Sequence, residues 1–280
     1  MDKIEQLSNL KTKLHKRKNT NIIPGQTYQL PSLGKYYENG VLSEDTKKGE
    51  IVIFPMTTLD EISLKSPDML LQGTAISEVI QRRVPQILNP LKLFPKDVDY
   101  ILTALRQITY GDVLDISYEC TKCQHKEKTT TKLSYFLSKS KSLDNFDESK
   151  LSFEIDNFGF KIKFSSYEEM VSINQKHMNN SLSTSGEIYS MFLDNLTTNI
   201  VSIDDIEDKD VIREFLTDAD VIFQRKILKH IQDINAWGME FFQSFSCSKC
   251  SHVNEISIDL NPVTFFSLPL DQVIPNESHE

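Results

Sequence analysis

Four cysteines arranged as two Cys-x-x-Cys pairs constrain this chain more than any other feature of its sequence. Cys120-Thr121-Lys122-Cys123-Gln124-His125 and Cys247-Ser248-Lys249-Cys250-Ser251-His252 repeat one pattern, and no cysteine is left over. Each pair lies between segments that read as strands, residues 113–118 and 126–133 around the first, 239–245 and 253–260 around the second. A strand–turn–strand unit presents two thiols on one side of its turn. Two such turns facing each other build a tetrahedral four-sulfur site with metal–sulfur distances of about 2.3 Å. The candidate metal ligands are therefore Cys120, Cys123, Cys247 and Cys250, and the expected cofactor is a structural Zn2+, which brings no redox chemistry of its own. A pair of redox dithiols would need a strand–helix setting that neither pair has. An iron–sulfur cluster would use the same four ligands and stays open as an alternative. His125 and His252 are spare donors, but four thiolates fill the shell, so both are expected on the rim. Lys122 and Lys249 sit in the turns, where their charge offsets the anionic centre.

The spacing of the pairs has a topological consequence. Between Cys123 and Cys247 lie 123 residues. If both pairs share an ion, that insert leaves and returns at one place and forms a unit with neighbouring ends. The rest of the pattern supports an α+β chain: strand-turn-strand, zinc-ribbon-like knuckles closing a mixed domain with a mainly helical insertion. Residues 26–30 and 50–54 read as strands. Thr58 with Glu61 forms a capping-box pattern for a helix starting at Leu59, and Ser66-Pro67-Asp68 is a second helix start. A third helix covers 75–84. Asp97 is placed to cap a helix over 98–109, whose Val98, Ile101, Leu102, Leu105 and Ile108 form one stripe. Arg106 falls off that stripe and is expected in solvent or in an ion pair. Residues 151–155 and 160–164 suggest a hairpin around residues 156–159. Ser166 with Glu169 caps a helix over 167–177, and helices follow at 187–196, 210–216 and 219–237. The last has a stripe of Val221, Ile222, Ile227, Leu228, Ile231 and Ile234. The division expected is a basic N-terminal arm (1–25), an N-terminal α+β domain with the first knuckle (26–137), a linker (138–150), a mainly helical insertion (151–238), the second knuckle with a C-terminal strand (239–270) and a disordered tail (271–280).

Charge separates the function classes. The net charge is -9, whereas a nucleic-acid binder draws most of its affinity from a basic face. No run of about 20 apolar residues is present to form a membrane span, and residues 1–18 lack an apolar signal core, which favours the cytosol. Those 18 residues carry six lysines and arginines against two acids, with Ile4, Leu7, Leu10 and Leu14 at helical spacing. They read as an amphipathic helix or as an arm for an acidic partner. Residues 201–220 hold eight acids and two bases, a solvated face or a dock for a basic partner. There is no phosphate-binding loop, dinucleotide fingerprint, nucleophile elbow or His-Glu-x-x-His motif, and the six histidines are scattered. No catalytic or small-molecule-binding residues emerge, and a non-enzymatic interaction protein is expected.

One family text is legible beside these features. The stretch Leu30-Pro31-Ser32-Leu33-Gly34-Lys35-Tyr36-Tyr37 is followed by Ile53-Phe54-Pro55-Met56-Thr57-Thr58-Leu59-Asp60-Glu61, then Ser66-Pro67 with Gly73. Leu105-Arg106, Tyr110-Gly111 and a Cys-x-x-Cys come next, and Phe265-Phe266 stands near the end. This order resembles the baseplate hub proteins of T-even-type contractile-tail bacteriophages, most clearly over residues 26–137. The resemblance implies a late protein of virion assembly that builds the hub of the tail baseplate, as a hub subunit or as an assembly factor. It implies other tail hub proteins as partners, no membrane and no small-molecule substrate. The implied location is the host cytoplasm during assembly, with the virion baseplate as the other site. The alternative reading of the knuckles alone is a zinc-ribbon nucleic-acid-binding regulator.

Overall fold

The computed structural model describes residues 24–46, 48–178 and 184–266. The expected amphipathic helix at 1–18 and the tail at 271–280 lie outside the described residues. The fold is α+β, and the described residues form four small antiparallel sheets distributed among helices.

The first half is built on α4 (Pro95–Tyr110), a 16-residue helix that buries both its apolar stripe and several polar residues. Strands β1 (Gln26–Gln29) and β2 (Glu50–Ile53) pair antiparallel against it. Helices α1 (Thr58–Leu64), α2 (Pro67–Leu71) and α3 (Thr74–Arg83) close the other side. Leu30, Ile51, Ile53, Leu64, Val79, Ile80, Ile101 and Leu105 fill the space between them.

Polar residues in this half depart from expectation, each for a physical reason. The α1 capping box is one residue earlier than expected: Asp60 accepts from the Thr57 backbone N and Oγ1, both at 2.8 Å. The shift places Asp60 inside, where Arg82 Nε (2.7 Å) and Arg83 Nε (2.6 Å) neutralise it. Asp97 is not the cap of α4. Pro95 starts the helix from Phe94, which turns Asp97 inward, fully buried, toward the Leu30–Tyr37 text. There it accepts from Ser32 N (3.1 Å), Ser32 Oγ and Tyr37 Oη (2.7 Å). Tyr37 Oη in turn accepts from Phe94 N at 3.0 Å. The Pro31–Tyr37 loop is thus the receptor for one buried carboxylate. It needs positive φ at Leu33, Gly34 and Tyr36. It also needs glycine at 49, because a Cβ there would lie 2.7 Å from the Leu33 carbonyl carbon. Arg106 is buried rather than solvated, its guanidinium 5.0 Å from the Tyr110 ring centroid and 6.0 Å from that of Phe265.

The second half has its own core. Strands β5 (Ser152–Ile155), β6 (Phe158–Ile162) and β7 (Ile200–Ile203) form a three-stranded antiparallel sheet in that order. The β5–β6 turn is the two residues Asp156-Asn157, both at positive φ, as the strand twist of a tight hairpin demands. Strand β7 has no counterpart in the sequence reading: four apolar-rich residues between helices carry too little periodicity to reveal a strand. Helices α6 (Tyr167–Met178), α7 (Ser185–Asn199), α8 (Lys209–Asp218) and α9 (Val221–Ile234) accompany this sheet. The Ser166–Glu169 capping box that starts α6 forms as expected. On α9, Ile227, Ile231 and Ile234 are buried as read, but Val221 and Ile222 face solvent because Asp220 caps the helix and turns its first residues outward.

An aromatic seam joins the halves. Tyr37 stacks on Phe94 at 4.3 Å, Phe94 meets Phe164 at 5.3 Å, and Phe164 meets Trp237 at 5.9 Å. Residues 138–150 are tied to the seam: Leu143 is buried, its N donates to Pro31 O at 2.9 Å, and Lys35 Nζ donates to Asp144 O at 2.9 Å. The chain enters and leaves the second half side by side. Lys141 and Gly238 exchange both backbone hydrogen bonds, at 3.0 and 2.8 Å.

Candidate metal centre

Two hairpins carry the cysteines. Strands β3 (Val113–Glu119) and β4 (Lys126–Lys132) flank the first pair, and β8 (Phe242–Ser246) and β9 (Val253–Ser257) flank the second. Their turns are built alike. Cys120 N donates to His125 O (2.9 Å) and Gln124 N to Cys120 O (2.8 Å). Cys247 N donates to His252 O (2.9 Å) and Ser251 N to Cys247 O (2.9 Å). Gln124 and Ser251 both take positive φ, 57° and 56°, which bends each turn back toward its own strand.

The turns face each other. Cys120 Sγ lies 3.7 Å from Cys250 Sγ and Cys123 Sγ lies 3.6 Å from Cys247 Sγ, and all four sulfurs fall within 4.8 Å of one another. A disulfide would need about 2.05 Å. A regular tetrahedron with metal–sulfur bonds of about 2.3 Å has sulfur–sulfur edges of about 3.8 Å. The donor set and its spacing therefore fit one tetrahedrally coordinated ion, with no coordination position left for a substrate. Cys120 and Cys247 are buried, Cys123 and Cys250 half-buried.

The surroundings treat the sulfurs unequally: Cys247 is raised by burial, and Cys123, despite the backbone hydrogen bond from His125, is raised by burial and by the neighbouring Cys250 and Cys120 thiols, whereas Cys120 is lowered. Burial opposes ionisation of Cys120. The backbone N–H groups of Cys123 and Lys122 and the Asn254 amide outweigh it and hold that thiol down at about 6. Asn254 is buried and its Nδ2 lies 3.6 Å from Cys120 Sγ. His125 is a rim residue as expected, its Nε2 3.7 Å from Glu127 Oε1, and His252 is half-buried. Lys122 and Lys249 are exposed.

Contacts across the pair of hairpins were not anticipated from the sequence. Asn254 Oδ1 accepts from Thr121 N (2.9 Å) and Thr121 Oγ1 (3.0 Å). Glu127 Oε1 accepts from Ser248 N (2.7 Å) and from Ser248 Oγ. Thr121 and Ser248 each follow the first cysteine of their pair. Glu127 and Asn254 each stand four residues after the second. Tyr118 and Phe245, each two residues before a first cysteine, meet at 5.9 Å. The hairpins are thus related by an approximate twofold exchange in these contacts; the bond from Thr131 Oγ1 to Gln243 Oε1 has no counterpart, because the exchanged positions are Ile258 and Ile116. The signal was present in the equal offsets of these polar residues from their cysteines.

No other cluster of three or more metal-ligating side chains is found among the described residues, and none of their helices is long and apolar enough to cross a membrane. The family model described as T4 bacteriophage base plate protein matches residues 30–267, which takes in the buried-carboxylate loop, both knuckles and Phe265-Phe266. No curated protein and no solved structure matches the chain.

Proposed function

The chain belongs to the T4 bacteriophage base plate protein family, and from that premise we propose that it works in the hub of the baseplate, as a hub subunit or hub assembly protein acting by protein–protein contact. Support comes from its order of motifs and from the four-sulfur cluster, a closed coordination type suited to holding structure rather than to turning over a substrate. The ion is Zn2+, held by Cys120, Cys123, Cys247 and Cys250. When bound, it clamps the two hairpins. The residues around it contribute separately: Asn254 and the turn N–H groups support thiolate charge, and the Thr121–Asn254 and Ser248–Glu127 pairs hold the turns in register. On this reading the protein is not an enzyme and its partners are other tail hub proteins. The knuckle-bearing residues 26–137 and 239–270 make one domain, with 151–238 as the insertion and 138–150 as its connection.

Two measurements test this. Metal analysis of the purified protein should give one zinc per chain, and none in Cys247→Ser. A phage carrying that substitution should yield particles lacking a baseplate hub. Normal infectious tails from a null mutant would defeat the hub role, and iron at the four sulfurs would defeat the zinc assignment.

A further inference from the structure

Each cysteine-bearing hairpin is a two-stranded sheet, so each strand keeps one edge open. Cys247 N donates to His252 O and Ile258 N to Phe241 O. Residues 241, 243, 245 and 247 therefore turn their backbone groups toward β9. By alternation, the N–H and C=O groups of Phe242, Ser244 and Ser246 point away from the hairpin. No hydrogen bond joins those groups to another described residue. The same parity, set by Cys120 N on His125 O and Leu133 N on Asp112 O, governs the first hairpin. Its outward residues are Val113, Asp115, Ser117 and Glu119 on β3, and Lys126, Lys128, Thr130 and Lys132 on β4. Those of β9 are Val253, Glu255 and Ser257. Charge at outward positions keeps an exposed edge from pairing. Strands β3, β4 and β9 carry it there, and β8 does not. The same hairpin exposes apolar surface: Phe242 is 62% exposed and Val253 57%. Within the hairpin both stand opposite a serine, Phe242 opposite Ser257 and Val253 opposite Ser246.

We propose that β8 pairs antiparallel with β8 of a second copy, about a twofold axis through Ser244, so that two hairpins become one sheet in the order β9–β8–β8–β9. This register uses every outward group. Ser244 faces Ser244 of the second copy and the two exchange both N–H and C=O, while Phe242 faces Ser246 in the same way on either side. One row of the outer face then runs from Val253 to Ser246 to Phe242 of the second copy. With strands about 4.8 Å apart, that Phe242 lies over the small Ser246 toward Val253, and both exposed apolar side chains are covered. The same operation on the other edges meets charge: Lys126 against Lys132 on β4, Glu255 against Glu255 on β9, and Asp115 and Glu119 of both copies on one face of β3. The fit is of the edge to itself, because the Val253 that receives Phe242 belongs to the neighbouring strand of an identical hairpin. The other described strands of the chain are held in sheets of their own. A lone strand from elsewhere in the chain would complete the backbone bonds yet leave Phe242 and Val253 without each other.

Sedimentation velocity of the full chain over a range of concentrations tests this. The average mass should rise toward that of a dimer and no further, because a twofold contact closes on itself. Ser244→Lys and Ser244→Glu each set like charges on the axis and should weaken dimerisation at least about tenfold. An equimolar mixture of the two variants should dimerise again, since lysine then faces glutamate. Only a position that meets its own copy gives this pattern. Ser244 is exposed and its backbone groups are not used in the β8–β9 ladder, so both variants should keep the parent melting temperature. Should either disturb the fold, amide exchange of the unaltered chain gives a second reading: protection of residues 242–246 should rise with concentration while that of 126–132 stays constant. A chain that stays monomeric at every concentration, dimers that survive both substitutions, a mixture that fails to dimerise, or exchange at 242–246 that ignores concentration overturns the proposal.

Discussion

Single carboxylates set the pH behaviour of this molecule, and they pull in opposite directions. Burial raises Asp97 to about 6, against the lowering effect of Ser32 and Tyr37. The native state therefore keeps this proton up to about pH 6, while the unfolded chain releases it near 4. Stability from this group is full below about pH 4 and is lost as pH rises to about 6, by on the order of 2–3 kcal/mol. Asp194 behaves the other way. Its own burial opposes the charge, but Lys176, Arg213 and His177 outweigh it and hold the group at about 2. Its contribution is present above about pH 4 and lost as pH falls toward 2. Denaturant midpoints measured from pH 4 to 7 should fall with rising pH relative to those of Asp97→Asn, and a parallel pair of curves would refute the assignment. Tyr37→Phe removes a donor to Asp97 and an acceptor for Phe94 N, and should cost about 1–3 kcal/mol. Asp60→Ala removes the acceptor of the α1 capping box and the shared partner of Arg82 and Arg83, which stay partly solvated and keep Glu78 and Thr57, and should cost about 1–3 kcal/mol.

At the scale of elements, the hairpins and their turns are held by backbone geometry as much as by side chains. Gly49→Ala combines a positive φ with a Cβ 2.7 Å from the Leu33 carbonyl carbon, and should destabilise by at least about 1–3 kcal/mol. A thermal melt showing no loss would mean that the Pro31–Tyr37 loop tolerates another path. Most helices, every described strand but β7 and both knuckles were legible in the sequence, because caps, stripes and Cys-x-x-Cys turns are local signals. Strand β7 and the inward role of Asp97 were not, because each depends on a partner far along the chain. Arg106 was misread for the same reason. Its off-stripe position implies solvent only if nothing covers that side of α4, and Phe265 does. The four cysteines that cluster could be named at once, whereas Asn254 and Glu127 became visible only when the two hairpins were set face to face.

As a whole, the described residues of the baseplate protein hold two large cores sharing one aromatic seam, with a small third cluster around Tyr100, Phe136 and Met239, so cooperative unfolding is the expectation. Trp237 is the single tryptophan and lies in that seam, 6.1 Å from Phe94. Its emission should therefore report the loss of both cores together, with fluorescence and far-ultraviolet dichroism tracing one curve. Phe94→Ala should cost about 3–5 kcal/mol and shift the Trp237 emission to the red. Two separated transitions would show that the halves unfold independently.

The contacts that close the hairpins join residues 112 to 134 positions apart. During synthesis the first hairpin emerges from the ribosome with nothing to face, and its mate follows only after every residue between Lys141 and Gly238 has been made. Closure is thus a late event: a nascent or truncated chain that stops short of the second hairpin exposes an unpaired first one, a difference by which unfinished product can be told from chains whose hairpins have met.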